Sequence, residues 1–446
     1  MPTWNANPRR AALVLPLALG LVAGVVSCSW ARFDDVSQDA PVLLLEKPDS
    51  VGSGFGSSVA SAEVDGFYRV FVGAAPGHTG GAEFEIGTGQ GASKDAARAG
   101  HCDVGCTLAK NAAAMPKAFL DNQPRTLCFA EGWDGTGIQV QCDAGKTAFL
   151  SRLDAPAGLI LPEPGNQLAL TSERPKRSGN AQPVVPLTPV VAAGATSLDT
   201  SSGSAWFYPA GSQDPTSLDP GPAGPTFGAA LAILETKGKR WIAVGEPALS
   251  RVHVFDDTGA LAHCFASSEP GFGRTLSAGF VTGGDANEEL VVATDKEVWV
   301  IDGSLLEGAP ASCATNVTPV VKLKCRTTAD LDGCGGSRFG AALAVADLDQ
   351  NGDGEVLVGA PGMAVRDESD AGAVFVFDVS AEHPDWLLEA RFISSAESGD
   401  RLGASIAVVH QPDRDIFVAG APGNGKAALF YCSKLLPGSK RGSRCK

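Results

Sequence analysis

Positive charge is scarce in this chain of 446 residues. Its 35 Lys and Arg stand against 50 Asp and Glu, a formal balance of −15. That deficit argues against nucleic acid or an anionic lipid surface as the main partner. Long apolar runs are scarcer still. After Ala11–Val26 none approaches the roughly 20 residues that span a bilayer, so the rest of the chain is expected to be exported and soluble. Catalytic signatures are missing too: there is no G-x-S-x-G elbow, no H-E-x-x-H and no Walker loop. GTGQG (87–91) fails the dinucleotide spacing and reads as a flexible loop. The six histidines (His78, His101, His253, His263, His383 and His410) are scattered, and His253, between Val252 and Val254, reads as a core or channel-lining residue. No catalytic residues are assigned, and the chain is expected not to be an enzyme.

What the chain has in plenty is turn formers, with 54 Gly and 29 Pro, which favours many short strands over long helices. The N-terminus is distinctive. Arg9 and Arg10 precede AALVLPLALGLVAGVV (11–26), interrupted by Pro16, in the layout of a secretory signal. It ends in Val25-Val26-Ser27-Cys28, which resembles the lipobox of bacterial lipoproteins. The resemblance implies a signal peptide over 1–27, lipidation of Cys28, a tether over 28–40 and membrane anchoring at the outer membrane, cell surface or periplasm. An ordinary signal peptide cleaved nearby is the plainer alternative. Ten further cysteines suit a disulfide framework in an oxidising compartment. Cys128 and Cys142 flank a hairpin and are paired first, with Cys102–Cys106 and Cys432–Cys445 as local candidates. Zinc is the rival at Cys102 and Cys106, but beyond His101 no second ligand pair stands at finger spacing.

The chain repeats a phrase. VLVGAPG (356–362) recurs as VFVGAAPG (70–77), IAVGEPA (242–248) and FVAGAPG (417–423), with weaker copies LCFAEGW (127–133), VVAAGAT (190–196) and LVVATDK (290–296). The seven copies lie about 50 to 65 residues apart. Each is followed by a second strand-like run, such as AVFVFD (373–378). Five are preceded by a glycine start: FGSSVA (55–60), FGAALA (227–232), FGRTLS (272–277), FGAALA (339–344) and LGASIA (402–407). Each unit is too small to bury both faces of its own sheet, and packing such sheets around an axis solves that. The expected fold is all-β: a seven-bladed β-propeller of four-stranded antiparallel blades over 41–432, in preference to a β-sandwich. PVLLLEK (41–47) is expected to supply the last blade's missing edge and so close the ring with an N-terminal strand, leaving 433–446 as a basic tail.

FG…VLVGAP resembles the FG-GAP repeat of integrin-α-type propellers, most sharply over 339–378. That resemblance implies a binding or adhesion platform that recognises partners through loops opposite its cation hairpins. Here those loops are 88–125, 303–338 and 362–372, the last expected to be removable without unfolding the ring. The partner would be an envelope or extracellular protein or glycan. The alternative is a hydrolase or lyase with its site in the central channel.

Inside that repeat, DLDQNGDGE (347–355) places oxygen-bearing side chains at alternating positions: Asp347, Asp349, Asn351, Asp353 and Glu355. A hard cation such as Ca²⁺ takes six to eight oxygens at about 2.3–2.6 Å, and a tight loop supplies them at this spacing. Gly352 at the sixth position permits the reversal. Position 12 is Val358 and a strand follows, so this is no EF-hand. The resemblance is to the calcium hairpin between the first two strands of an FG-GAP blade, with one structural Ca²⁺. A solvated acidic turn is the alternative. The sister hairpins lack the set, since blade one has Arg69 near the ninth position, blade four has lysines, and blade five has only Asp285 and Glu289.

Overall fold

A computed structural model describes most of residues 216–430, with gaps at 283–286, 309–312, 314–315, 328–330, 349–351, 380–385, 391–395 and 412–413. Before 216 it describes 42–47, 53–57, 202–203 and the strands named below. Seven four-stranded antiparallel sheets are present among these residues. In chain order they begin with Ser58–Val64, Ala114–Met115, Gln167–Leu170, Ala230–Thr236, Leu276–Gly279, Leu343–Ala346 and Ser405–Gln411. Each repeated phrase forms the second strand of its sheet: Phe67–Gly73, Cys128–Trp133, Val191–Ala195, Lys239–Glu246, Glu289–Ala293, Glu355–Ala360 and Arg414–Ala421.

Within six sheets the four strands follow one another in sequence. In the seventh, the outer place beside Lys426–Phe430 is taken by Val42–Glu46, paired antiparallel from Val42↔Phe430 to Glu46↔Lys426. First strands of successive sheets lie against one another: sheet one against two, three against four, and on through seven back to one. Sheets radiating from a shared inner ring of first strands make a β-propeller, not two stacked layers.

This arrangement explains why the central strands do not alternate apolar with polar. Glu355–Ala360 is buried at every position, as is Glu297–Ile301 in sheet five, because each middle strand is covered on both faces by its neighbours. The apolar clusters accordingly straddle sheets. Phe272, Leu290 and Trp299 of sheet five pack with Trp241, Val252 and Val254 of sheet four. Phe339 and Phe375 of sheet six pack with Val291 and Val298 of sheet five. The phenylalanine of each FG start is a wedge in these seams. Phe55, Phe227, Phe272 and Phe339 are buried, and Leu402 takes the place in sheet seven. Phe339 meets Phe375 edge-on at 5.4 Å, a contact worth about 0.5–1.5 kcal/mol beyond the area it buries.

The glycines of the repeat meet across the seams. The Gly340 N–H donates to the carbonyl of Gly359 in its own sheet at 2.9 Å. The Cα of Gly359 meanwhile faces the next sheet, where a Cβ would stand 2.0 Å from the carbonyl oxygen of Gly403. The same close approach joins Gly245 to Gly273, and Gly420 to Gly56. Sheet seven therefore meets sheet one by the same contact that joins sheet four to five and sheet six to seven.

One expectation fails here. Residues 362–372 are not a detachable loop. Ala364–Val365 pairs with Leu331–Asp332 in a two-stranded ribbon, and Met363, Val365 and Ala371 are core residues. The same segment accepts bonds from Arg401 N at 2.9 Å and Leu402 N at 2.9 Å, strapping sheet six to sheet seven. Its removal would expose apolar surface and strand unpaired backbone groups. Two disulfides lie in these connections. Cys325–Cys334 braces the ribbon, and Cys264–Cys313 ties the outer strand Leu261–Ala266 of sheet four to a loop of sheet five. Neither was among the expected pairs. Cys128 and Cys142 stand directly opposite each other in register. Cys28, Cys102, Cys106, Cys432 and Cys445 lie outside the described residues.

Gly359→Ala is expected to destabilise the protein by more than about 3 kcal/mol, since backbone on both sides must move. Urea unfolding checks this, and a loss under about 1 kcal/mol would show that the seam is not held by this approach.

Candidate metal centre

The acidic hairpin joins Leu343–Ala346 to Glu355–Ala360, with Ala346 paired to Glu355 at its neck. Both end carboxylates turn into the loop. Asp347 Oδ2 accepts from Gly352 N at 3.2 Å, and Glu355 Oε2 accepts from Leu348 N at 2.7 Å. Gly352 has φ +96°, the left-handed conformation its place in the turn requires. Asp353 is half-buried, while Asp349 and Asn351 lie outside the described residues. The loop is also held from both flanks. Asp347 N donates to Asp415 Oδ2 of sheet seven at 2.8 Å, and Gly354 N donates to Phe280 O of sheet five at 2.6 Å.

Glu355 has a counterpart that clarifies its role. In sheet five, Glu289 also opens the second strand, and its Oε2 accepts from Val281 N at 2.6 Å and Thr282 N at 3.3 Å, while Oε1 accepts from the Thr282 hydroxyl at 2.6 Å. Val281 lies two residues past Gly279, the partner of Glu289, as Leu348 lies two past Ala346. The ninth-position carboxylate thus clamps the backbone of its own hairpin, with or without further acidic residues. Burial raises the Glu289 pKa above the ordinary carboxylate value, opposed by those same hydrogen bonds. Asp285 lies outside the described residues.

Among the described residues the other hairpins offer no comparable cradle. In sheet four, Lys237 and Gly238 have φ 44° and 77°, a tight two-residue turn between paired Thr236 and Lys239. In sheet one, Arg69 is not in a loop at all: it lies inside the strand pair opposite Ala62. In sheet seven, Asp415 sits within the second strand and holds His410 Nδ1 at 3.0 Å.

The repeat's geometry and its sequence now coincide, for the FG-GAP repeat profile matches residues 339–377, the stretch that contains this hairpin and its strands. The chain carries an FG-GAP repeat within a β-propeller fold. Human integrin alpha-7 is 36% identical over 104 residues, and mouse integrin alpha-3 is 36% identical over 105. Each alignment takes in 22% of this chain, and only 9% and 10% of the respective integrin chains. Among solved structures, BBS1N crystallised in complex with ARL6DN superposes with a TM-score of 0.51 at 11% identity, covering 91% of this chain and 98% of that one. At that identity the likeness is one of fold.

Two groups of residues escaped sequence reasoning. One is a buried pair, Glu246 and His253, considered below. The other is a set of left-handed charged residues in the connections of sheets six and seven: Arg338, Arg366, Asp370 and Arg401, with φ 53°, 54°, 51° and 62°. Arg338 and Arg401 immediately precede Phe339-Gly340 and Leu402-Gly403, a position held by glycine in sheets one (Gly54) and five (Gly271). All four charged side chains are exposed.

The Glu289 clamp carries a pH signature. A carboxylate whose folded pKa is raised weakens the fold as pH climbs from the ordinary carboxylate range through the raised value. Glu289→Gln keeps one acceptor and gains a donor for Thr282. It is expected to be at least as stable as wild type at neutral pH, with a flatter stability profile across that window. Glu289→Ala, which orphans the N–H of buried Val281, should lose about 1–3 kcal/mol. Urea melts at several pH values decide it, and a Gln variant as damaged as the Ala variant would refute the assignment.

Proposed function

We propose that this FG-GAP protein is an exported, lipid-anchored binding scaffold at the cell envelope. Its propeller has seven blades closed by Val42–Glu46, steadied by one Ca²⁺ in the 347–355 hairpin and turning its opposite face to a protein or glycan partner. The N-terminal layout at 9–28 supports export and anchoring through Cys28. No helix among the described residues is long and apolar enough to cross a membrane.

The donor set fits a hard divalent cation. Asp347 and Glu355 already turn inward from the two ends of the hairpin, and every side chain in the set offers oxygen rather than nitrogen or sulfur. Asp347, Asp349, Asn351 and Glu355 would hold the ion by their side chains and Asp353 by its backbone carbonyl. The bound ion would neutralise carboxylates that otherwise repel, which is a stabilising role.

The observation that carries the binding role lies on the other face. The connections 331–338, 362–372 and 397–401 leave the ends of the blades opposite the acidic hairpin, and the ribbon and its disulfide hold them rigid. Arg338 and Arg401 keep a long cationic side chain in a backbone conformation that disfavours it by about 1–2 kcal/mol and that glycine fills in sister repeats. Strain of this kind is retained where the side chain is used. A rigid face presenting arginines suits carboxylate groups on a partner, which the guanidinium fork binds in bidentate fashion.

Two measurements test this reading. With Ca²⁺ at a hundredfold excess over its dissociation constant, the wild-type chain should gain about 2.7 kcal/mol over the chelated form. Asp347→Asn, which keeps the bond from Gly352, should lose that gain, and equal stability with and without chelator would remove calcium from the account. Separately, Arg338→Gly with Arg401→Gly should leave stability unchanged or raise it by up to about 1 kcal/mol. The same double variant should lower retention on immobilised carboxylate-bearing glycan and on isolated envelope. Unchanged retention would defeat the binding role.

A further inference from the structure

Blade four carries a cluster that neither the propeller nor the acidic hairpin uses. In its copy of the repeat the alanine of VGAP is replaced: the phrase reads VGEP, and Glu246 is the replacement. A carboxylate in a seam between blades is costly unless satisfied. Glu246, wholly buried, accepts from Gly224 N through Oε1 and meets His253 Nε2 through Oε2 at 2.7 Å. His253 is 2% exposed, and its Nδ1 has no hydrogen-bond partner among the described residues. Directly across the sheet from His253 stands Cys264, whose sulfur is joined to that of Cys313. A ring nitrogen of His253 and the two sulfurs all lie within 4.8 Å of one another.

We infer that Cys264, Cys313 and His253 form a redox-gated site for a thiophilic divalent cation, with zinc as the natural occupant. While the disulfide is intact its sulfurs are not thiolates and hold no metal. An external dithiol opens it: the S–S bond breaks, the dithiol departs as its own disulfide, and its two protons pass to Cys264 and Cys313. Zn²⁺ then displaces both protons to solvent, forms two Zn–S bonds and takes the lone pair of His253 Nδ1. Zinc at about 2.3 Å from each sulfur holds them roughly 3.8 Å apart in tetrahedral geometry. With Cα atoms 4.9 Å apart, side-chain rotation accommodates that separation.

Glu246 is the positioning residue. A histidine ligand whose second ring N–H is held by a carboxylate has its tautomer and ring orientation set in advance. Here Glu246 takes Nε2 and leaves Nδ1 as the ligand atom. Cys264 is buried, whereas Cys313 is half-buried at the rim, so both the reductant and a water in the fourth position approach from that side. The ion would also replace the covalent staple, because Cys264 belongs to the outer strand of blade four and Cys313 to a loop of blade five.

The test uses the full chain, opened by a phosphine reductant without air, and Co²⁺ as probe. Reduced wild type should take up one equivalent with a thiolate-to-cobalt charge-transfer band, which Zn²⁺ then abolishes. Oxidised wild type should show none. Cys264→Ser with Cys313→Ser should lose the band, Cys325→Ser with Cys334→Ser should keep it, and Glu246→Gln should weaken uptake about 10- to 100-fold. The inference is overturned if the Cys264/Cys313 double variant binds as wild type does. It is equally overturned if reduced wild type binds no cobalt, whether it keeps its β-sheet circular dichroism or loses it.

Discussion

The propeller depends on two backbones being allowed to touch. Where Gly359 of one blade meets Gly403 of the next, no side-chain atom intervenes, and a single methyl group on Gly359 would overlap a carbonyl oxygen. The same residue's carbonyl receives the N–H of its own blade's Gly340. One glycine therefore fixes the start of its own blade through a hydrogen bond and the pitch to the next through contact. The FG phenylalanine beside it fills the wedge that opens as the blades diverge. Both words of the repeat are thus explained by the seam: the bulky residue sits where blades part, and the absent side chain where they meet.

This seam also explains which parts of the molecule were legible beforehand. The seven repeated phrases each became a second strand, and in sheets four to seven that strand is covered on both faces, so its composition has little freedom. Val42–Glu46 was legible as a lone strand opposite an unfilled edge. The ribbon between Leu331–Asp332 and Ala364–Val365 was not. Two short non-local pieces pair there without periodicity, one from the connection between blades five and six and one from within blade six. The two disulfides failed for a related reason: Cys264 and Cys313 are neighbours only because a loop of one blade lies along the rim of another.

The acidic hairpin was half legible. Alternation put Asp347 and Glu355 on a common interior, but it did not reveal that the ninth-position carboxylate is first a backbone clamp. Glu289 performs that role in a hairpin without the full acidic set. A carboxylate already held by its own loop has its orientation set before any ligand arrives. Glu246 was not legible at all, because the histidine and sulfurs beside it are brought together by strand register rather than by sequence distance.

The pairing of Val42–Glu46 with Lys426–Phe430 bears on how the chain is made. The two partners are separated by almost the whole of the seven sheets. At about 5–20 residues per second, synthesis of the stretch between them takes on the order of 20–80 s. Throughout that interval VLLLE is an apolar strand with no mate, the kind of segment that finds another chain's edge instead. That edge is filled only when Lys426–Phe430 has emerged, which makes this pairing the longest-range contact in its sheet.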